Sequence, residues 1–547
     1  MITPPGAGSR RSASLRKAAA TLAVVASAGA AASGGEPAAA QYVPPNIVLI
    51  TSDDQTAESL RVMERTRRLM AEGGTKFTRS YASFPLCCPA RATWLTGQYA
   101  HNHGVLQNTA RNGGSYTSLR EPGKVLPVWL KEAGYDTAFV GKWLHGYEGL
   151  ERPPGWDVWW GLTQPSMTSY YDYEVADSRG GATAFGSSEP DYQTDVLTDR
   201  YAIGYIRARA QLGEGLPISA GAPPFFLHVS YIGPHWGSGR EDAAGRRCAN
   251  GEPFVPETAR SKPAPRHATR FRGAPLPNPR SFNEGDVSDK PSHLQAEPID
   301  RAAGLAIKER YRCSLASLLS VDEAVGRIHH ALEASGFADD TVVIFTSDNG
   351  YMNGEHRLPG GKVQPYEEAI NVPLLISGRG IPAGLGVQDP VSNVDLAPTI
   401  LDLANARPPA GLARPFDGRS LVPYLAGHGD PQRAVLIEAK RALRGPRGGP
   451  YVSRSWVGLR SKRYTYVNHF RARGVTPELA RELPIGSGKL TDVELYDERR
   501  DPFQLENRAA SEAYAPVRRA LASGSSELRS CSGRPCGARL QVPRPRR

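Results

Sequence analysis

The stretch Ser83-Phe84-Pro85-Leu86-Cys87-Cys88-Pro89-Ala90-Arg91-Ala92-Thr93-Trp94-Leu95-Thr96-Gly97 gathers residue types that could work on an anion. Pro89 has no N–H to leave unpaired in a first helical turn, Ala90 to Thr96 continue as a helix, and Gly97 is a natural stop. Cys87 or Cys88 then sits at a helix N-terminus, where free N–H groups and the dipole favour negative charge. Arg91 lies one turn in and can reach back, bidentately if the geometry allows. A reactive sulfur, such a helix end and a fixed guanidinium point to a sulfate or phosphate ester. The plain alternative is two buried thiols and a surface arginine.

Asp53, Asp54, Asp348 and Asn349 offer only oxygen donors, which suit calcium or magnesium and not zinc. The alternative for Asp53-Asp54 is a helix N-cap pair, which does not explain Asp348-Asn349 at an equivalent place. Lys142 and Lys362 could clamp an anion; His145 and His235 could move protons. Taken singly, each lysine is as well read as a surface charge and each histidine as structural.

Five apolar, branched runs read as buried strands: Asn46 to Thr51, Asp136 to Val140, Phe225 to Tyr231, Thr341 to Thr346 and Val372 to Ser377. Glu58 to Glu72, Val125 to Ala133, Cys313 to Ser335 and Asn393 to Ala406 have helical spacing. The alternation predicts an α/β fold, a largely parallel sheet sandwiched by helices. Ligands bind such sheets beyond the strands' C-terminal ends. Four of the five runs end there in a charged or imidazole residue. From about residue 430 the pattern shifts to short strands and turns, predicting a smaller C-terminal α+β domain with a short antiparallel sheet. The expected layout is 1–40 leader, 45–425 main domain, 430–520 second domain and 521–547 basic tail, with Arg534 to Arg547 disordered. Gly237 to Ala303, polar and proline-rich, reads as substrate-facing loop or plain surface insertion.

Arg10, Arg11, Arg16 and Lys17 precede an apolar small-residue run from Ala18 to Ala32, then Ala38-Ala39-Ala40. That is the shape of a secretory signal peptide, too short and alanine-rich for a stable membrane anchor, so a secreted or cell-envelope location is expected. A net charge of +11 is compatible with an acidic partner, but no basic run interleaved with aromatics supports nucleic acid. Of six cysteines, Cys531 and Cys536 enclose a four-residue loop and are expected to pair; Cys248 with Cys313 is left open. Cys87 and Cys88 then remain free.

The chain resembles the sulfatases of the alkaline-phosphatase-like superfamily over about residues 45 to 507. The resemblance rests on Asn46-Ile47-Val48-Leu49 with Asp53-Asp54-Gln55, Cys87-Cys88-Pro89-Ala90-Arg91-Ala92 with Leu95-Thr96-Gly97, and Gly141-Lys142-Trp143. It also rests on Gly233-Pro234-His235, Ser347-Asp348-Asn349-Gly350, Lys362 with Tyr366-Glu367, and Glu494-Leu495-Tyr496-Asp497 with Asp501-Pro502. The double cysteine, Tyr99-Ala100-His101-Asn102-His103, Tyr351, Ser281-Phe282-Asn283-Glu284 and Asp289-Lys290-Pro291 lean toward the N-acetylglucosamine-6-sulfatase branch and its bacterial relatives. The resemblance implies sulfuric ester hydrolysis on a sulfated sugar. It implies that a formylglycine-generating enzyme converts Cys87 to formylglycine, whose hydrate supplies the attacking hydroxyl. It assigns calcium, ahead of magnesium, to Asp53, Asp54, Cys87, Asp348 and Asn349. Arg91 would support residue 87, Lys142 and Lys362 the sulfate oxygens, and His235 or Lys362 the leaving oxygen. His145 would be the base, one residue out of place against the common Lys-Trp-His pattern. A phosphate or phosphonate monoester hydrolase of the same superfamily, or a non-catalytic sulfated-glycan binder, is the competing expectation.

Overall fold

The computed structural model describes residues 42–109, 114–147, 151–212, 223–237, 260–277, 279–406, 416–443, 451–537 and 539–546. The expected leader over 1–40 lies outside them. β1 (Asn46–Asp53) is buried along its whole length. Val48 and Ile50 enter one core and Ile47 and Leu49 another, as a central strand covered on both faces requires.

Around β1 a ten-stranded sheet is assembled from β2 (Gly74–Phe77), β3 (Asp136–Gly141), β4 (Val158–Leu162), β5 (Tyr173–Asp177) and β6 (Ala182–Phe185). β7 (Phe225–Pro234), β8 (Thr341–Ser347), β9 (Leu374–Gly378) and β10 (Leu385–Val387) complete it. The order is β10-β2-β9-β8-β1-β7-β3-β4-β5-β6. β8, β1, β7, β3 and β4 run parallel. The C-terminal ends of β1, β3, β7 and β8 therefore open on one rim and deliver Asp53, Lys142, His235 and Asp348 to it. β9, the fifth sequence-predicted strand, runs antiparallel to both neighbours. Its C-terminal end lies at the opposite rim, which is why it alone ends without a chemical residue.

Helices cover both faces. α1 (Cys87–Thr96), α2 (Leu126–Glu132) and α4 (Leu396–Leu403) share one core; α3 (Arg301–Ala334) packs Leu318, Val321, Val325 and Ile328 into the other. α3 starts well before the predicted Cys313, because Asp300 caps it by accepting from Ala303 N at 2.7 Å. Glu58 to Glu72 is not one helix. Met63 leaves helical dihedrals, and the N–H groups of Arg65 and Thr66 donate to the buried carboxylate of Asp322, splitting the segment into short turns.

A second, four-stranded antiparallel meander follows: β11 (Ala434–Leu443), β12 (Tyr451–Ser461), β13 (Tyr464–Val475) and β14 (Lys489–Asp497). Val435, Ile437, Val457 and Val467 of this sheet share a core with Phe84, Tyr99 and Val394 of the main domain. Val43–Arg547 accordingly forms one compact unit. The tail departs from expectation: Arg539 bridges to Arg433, Leu540 N donates to Gln432 O, and Leu540 packs on the same core. A disulfide joins Cys531 to Cys536, Cys87 and Cys88 are free thiols, and Cys313 is disulfide-bonded; Cys248 lies outside the described residues. Among the described residues no helix is long and apolar enough to cross a membrane.

The described part of the long insert is scaffold rather than open loop. Glu284 is buried and holds His356 Nδ1 at 2.6 Å and Lys290 Nζ at 3.1 Å, while Asp289 accepts from Asn507 N at 2.7 Å.

Candidate active site

α1 begins at Cys87, with Leu86 extended as its N-cap and every residue of the helix buried. Pro89 removes one orphan donor of the first turn, and Asn108 Oδ1 takes another from Cys88 N at 2.9 Å. Gly97 ends the helix at φ +66°, where a Cβ would lie 2.6 Å from the Phe416 ring, so only glycine fits. The two sulfurs diverge. Cys87 faces the sheet rim; Cys88 turns into the core and accepts from His145 N at 3.0 Å.

At the end of β1, Asp54 adopts φ +65°, a conformation that aspartate tolerates better than most residues. The chain turns there, and two consecutive carboxylates reach one site instead of opposite faces. Asp53 Oδ1 lies 3.5 Å from Cys87 Sγ; its Oδ2 accepts from Arg91 Nη2 at 3.2 Å and from Lys142 Nζ. Asp54 Oδ1 accepts from Asn349 Nδ2 at 2.6 Å and from Lys362 Nζ. Lys362 Nζ also reaches Cys87 Sγ at 2.9 Å. From β8, Asp348 Oδ2 accepts from Arg91 Nε at 2.9 Å, and its Oδ1 accepts from the backbone N–H groups of Asp54 and Asn349 at 3.1 and 2.8 Å. Arg91 spends its remaining Nη1 on Lys142 O and Ser230 Oγ, both at 2.7 Å.

His235 directly follows β7. Its Nδ1 lies 2.6 Å from Trp236 O, and a carbonyl only accepts, so Nδ1 carries the proton and Nε2 faces Asp54 Oδ2 at 3.7 Å. Tyr170 Oη donates to His235 O at 2.9 Å. Ligand atoms of Asp53, Asp54, Cys87 and His235 all lie within 4.8 Å of one another.

The electrostatics separate the two thiols. Burial and the charge of Asp53 push Cys87 up, but Lys142, Lys362 and a hydrogen bond from His235 pull it down to about 7. Burial and the neighbouring Cys87 push Cys88 up to about 12. Asp53 resists burial because Lys142, His235 and Arg91 hold it well below the ordinary carboxylate range. Asp348 is pushed up to about 8 by burial and by Asp53. Burial and Lys142 hold His145 well below its usual value, and its Nε2 is buried without a partner among the described residues.

The residues also fit a hard cation. Asp54 Oδ2 and Asn349 Oδ1 are buried oxygens with no hydrogen-bond partner among the described residues, a costly condition unless something else takes their lone pairs.

All ten residues singled out by sequence thus converge on the rim or directly behind it. His145 is the outlier, standing on the Cys88 side. Sequence reading missed Ser230, Asn108, Tyr170 and the Trp236 carbonyl. Each acts by holding another side chain, and such supporting roles leave no motif of their own.

A parallel-sheet rim with a buried sulfur, oxygen donors and two lysines defines the class. A family model described as Sulfatase matches residues 45–406, and the chain belongs to that family. It is 36% identical over 389 residues to the putative extracellular sulfatase Sulf-1 homolog of Caenorhabditis elegans, spanning 70% of this chain and 49% of that protein. It is 33% identical over 395 residues to N-acetylglucosamine-6-sulfatase of Homo sapiens, spanning 70% of this chain and 64% of that protein. The chain thus spans about half to two thirds of the length of these relatives. A solved complex of a protein with its substrate D-glucosamine-2-N,6-O-disulfate shares the fold, with a TM-score of 0.65, 23% identity, and coverage of 89% of this chain and 97% of that one.

Proposed function

We propose that this chain is an exported sulfuric ester hydrolase acting on a sulfated carbohydrate, N-acetylglucosamine-6-sulfatase-like in its site. In this reading Cys87 is converted to formylglycine by a separate formylglycine-generating enzyme, and calcium is held by Asp53, Asp54, Asp348, Asn349 and residue 87. The observation that carries it is the meeting of the Cys87 sulfur with Lys362 at 2.9 Å and Asp53 at 3.5 Å on a rim that also holds unpartnered oxygen donors. The bound cation supplies charge neutralisation and the hydrated aldehyde a hydroxyl nucleophile.

The chain's own residues then have distinct duties. Lys142 and Lys362 pair with Asp53 and Asp54 and are placed to turn to the sulfate oxygens as charge builds there. Three carboxylates, Asp53, Asp54 and Asp348, face Arg91, Lys142 and Lys362 across the rim. Arg91 fixes Asp53 and Asp348 against each other. His235 keeps Nδ1–H on Trp236 O and, as the imidazolium beside Asp54, carries a second proton on Nε2 to hand to the leaving alcohol, and Lys362 is the second donor within reach. By the resemblance His145 is the base that relieves residue 87 of a proton; burial and Lys142 favour its neutral form, and its Nε2 has no partner among the described residues.

The extracellular relative and the leader-like N-terminus support export. A phosphate or phosphonate monoester hydrolase would use the same rim. Protein co-expressed with a formylglycine-generating enzyme should turn over an aryl sulfate faster than the matching aryl phosphate; faster phosphate turnover overturns the sulfatase reading. A glycan binder without activity would turn over neither.

A further inference from the structure

The C-terminal sheet carries a row of positive charge that the reaction centre does not use. Arg441 on β11 stands opposite Arg454 on β12, Arg454 opposite Arg471 on β13, and Arg471 opposite Lys489 on β14. Like charges directly opposite one another destabilise an antiparallel sheet. Among the described residues none of the four is held by an ion pair or a side-chain hydrogen bond. Burial and then Arg471 and Arg473 push the Arg454 guanidinium below its usual range, with Asp492 opposing. The carboxylate alongside, Glu494, is already taken by His469, Tyr366 and Tyr496.

Arg441, Arg454 and Arg471 line one cavity together with His293, His469 and Val363. The cavity reaches to within one residue of the reaction centre along the chain. Val363 follows Lys362, and its carbonyl accepts from Trp456 Nε1 at 3.1 Å; Trp456 lies two residues from Arg454 on the same face of β12. A repulsive arrangement built beside a site for an anionic ester has a physical reason if a second anion settles into it.

We propose that this basic cavity binds a second anionic group, sulfate or carboxylate, of the same carbohydrate whose ester lies at Cys87. The preferred substrate is then a polyanionic oligosaccharide rather than an isolated monosulfated sugar. The proposal rests on the sulfate-ester reading and deepens it.

The test uses the full chain, converted at residue 87, with an aryl sulfate and a heparin-derived tetrasaccharide as substrates. The double variant Arg454→Gln/Arg471→Gln should raise KM for the tetrasaccharide about tenfold or more, the loss expected of charge-assisted hydrogen bonds, while kcat is kept. Turnover of the aryl sulfate should stay within about twofold, since that probe reaches only the rim. Without saccharide the double variant should melt no lower than the parent, because it removes repulsion; a purely structural arginine would lower the melting temperature. Arg441→Gln, at the exposed end of the row, should give a smaller rise in the same KM and does not depend on the double variant folding. Equal losses on both substrates, or an unchanged tetrasaccharide KM, overturns the proposal. Calorimetric titration of the tetrasaccharide into the Cys87→Ala protein separates the two readings. Weaker binding by the double variant on that background supports the cavity even if no sulfate ester is cleaved. An oligonucleotide of equal charge bound as tightly as the tetrasaccharide contradicts a carbohydrate site.

Discussion

The ammonium of Lys362 lies 2.9 Å from the sulfur of Cys87, while the neighbouring Cys88 sulfur, one residue on, receives the backbone N–H of His145. Adjacent thiols of identical chemistry thus differ by their surroundings alone. Cys87→Ala should abolish sulfate-ester turnover, by roughly 10⁴-fold or more, as loss of a nucleophile does. Cys88→Ala removes a small buried side chain from the core beside α1 and should cost about 1 kcal/mol of stability with activity largely kept. Steady-state assays and thermal melts of the two variants check this; equal loss in both would count against Cys87 as the reacting position.

Arg91 is the clamp of the rim. Its guanidinium is buried and shared between Asp53, Asp348, Ser230 and the Lys142 carbonyl. Truncation leaves buried carboxylates short of a partner, so Arg91→Ala should lose about 3–5 kcal/mol, seen in chemical denaturation. Arg91→Lys keeps the charge but not the planar fork and should recover only part of that loss.

Calcium should stabilise the folded chain directly. A site that binds only in the folded state adds about 2.7 kcal/mol when the ion is present at 100 times its Kd. Chelator-treated protein should therefore melt lower, and calcium should restore it. Asn349→Ala, which removes an unpartnered buried oxygen, should blunt the response. An identical melting temperature with and without calcium would contradict the assignment.

His101 ties the main domain to the C-terminal sheet: Nδ1 lies 2.9 Å from Glu438 and Nε2 2.9 Å from Cys531 O. Burial opposes its protonation, but Glu438 and the Cys531 carbonyl raise its pKa to about 9, above the 6.5 of the free side chain. A raised histidine contributes stability that is full below pH 6.5 and fades as pH climbs through 9. The contribution is at most roughly 3 kcal/mol. His101→Gln should remove that slope between those pH values in denaturation measurements, leaving the alkaline end little changed.

Much of the rim was legible because its residues sit where strands stop. The apolar runs ending in Asp53-Asp54, Lys142, His235 and Asp348-Asn349 carried both the fold and the place of the chemistry, since parallel strands bring their ends together. The direction of β9 was not legible, because a short buried run looks the same in either orientation. The broken helix after β1 was hidden for a related reason. Its helical spacing was present, but Asp322, far along the chain, takes the backbone donors that the spacing assigned to the helix. The ordered tail was missed because arginine and proline content says nothing about Leu540 finding a core. Arg441, Arg454 and Arg471 look scattered in sequence, and only strand register makes them a row.

The most direct test of the account is the mass of the proteolytic peptide carrying residue 87, taken from protein that is cleaving an aryl sulfate. The account predicts an aldehyde in place of the Cys87 thiol, with Cys88 unchanged. An intact thiol at residue 87 in protein that turns over would contradict it.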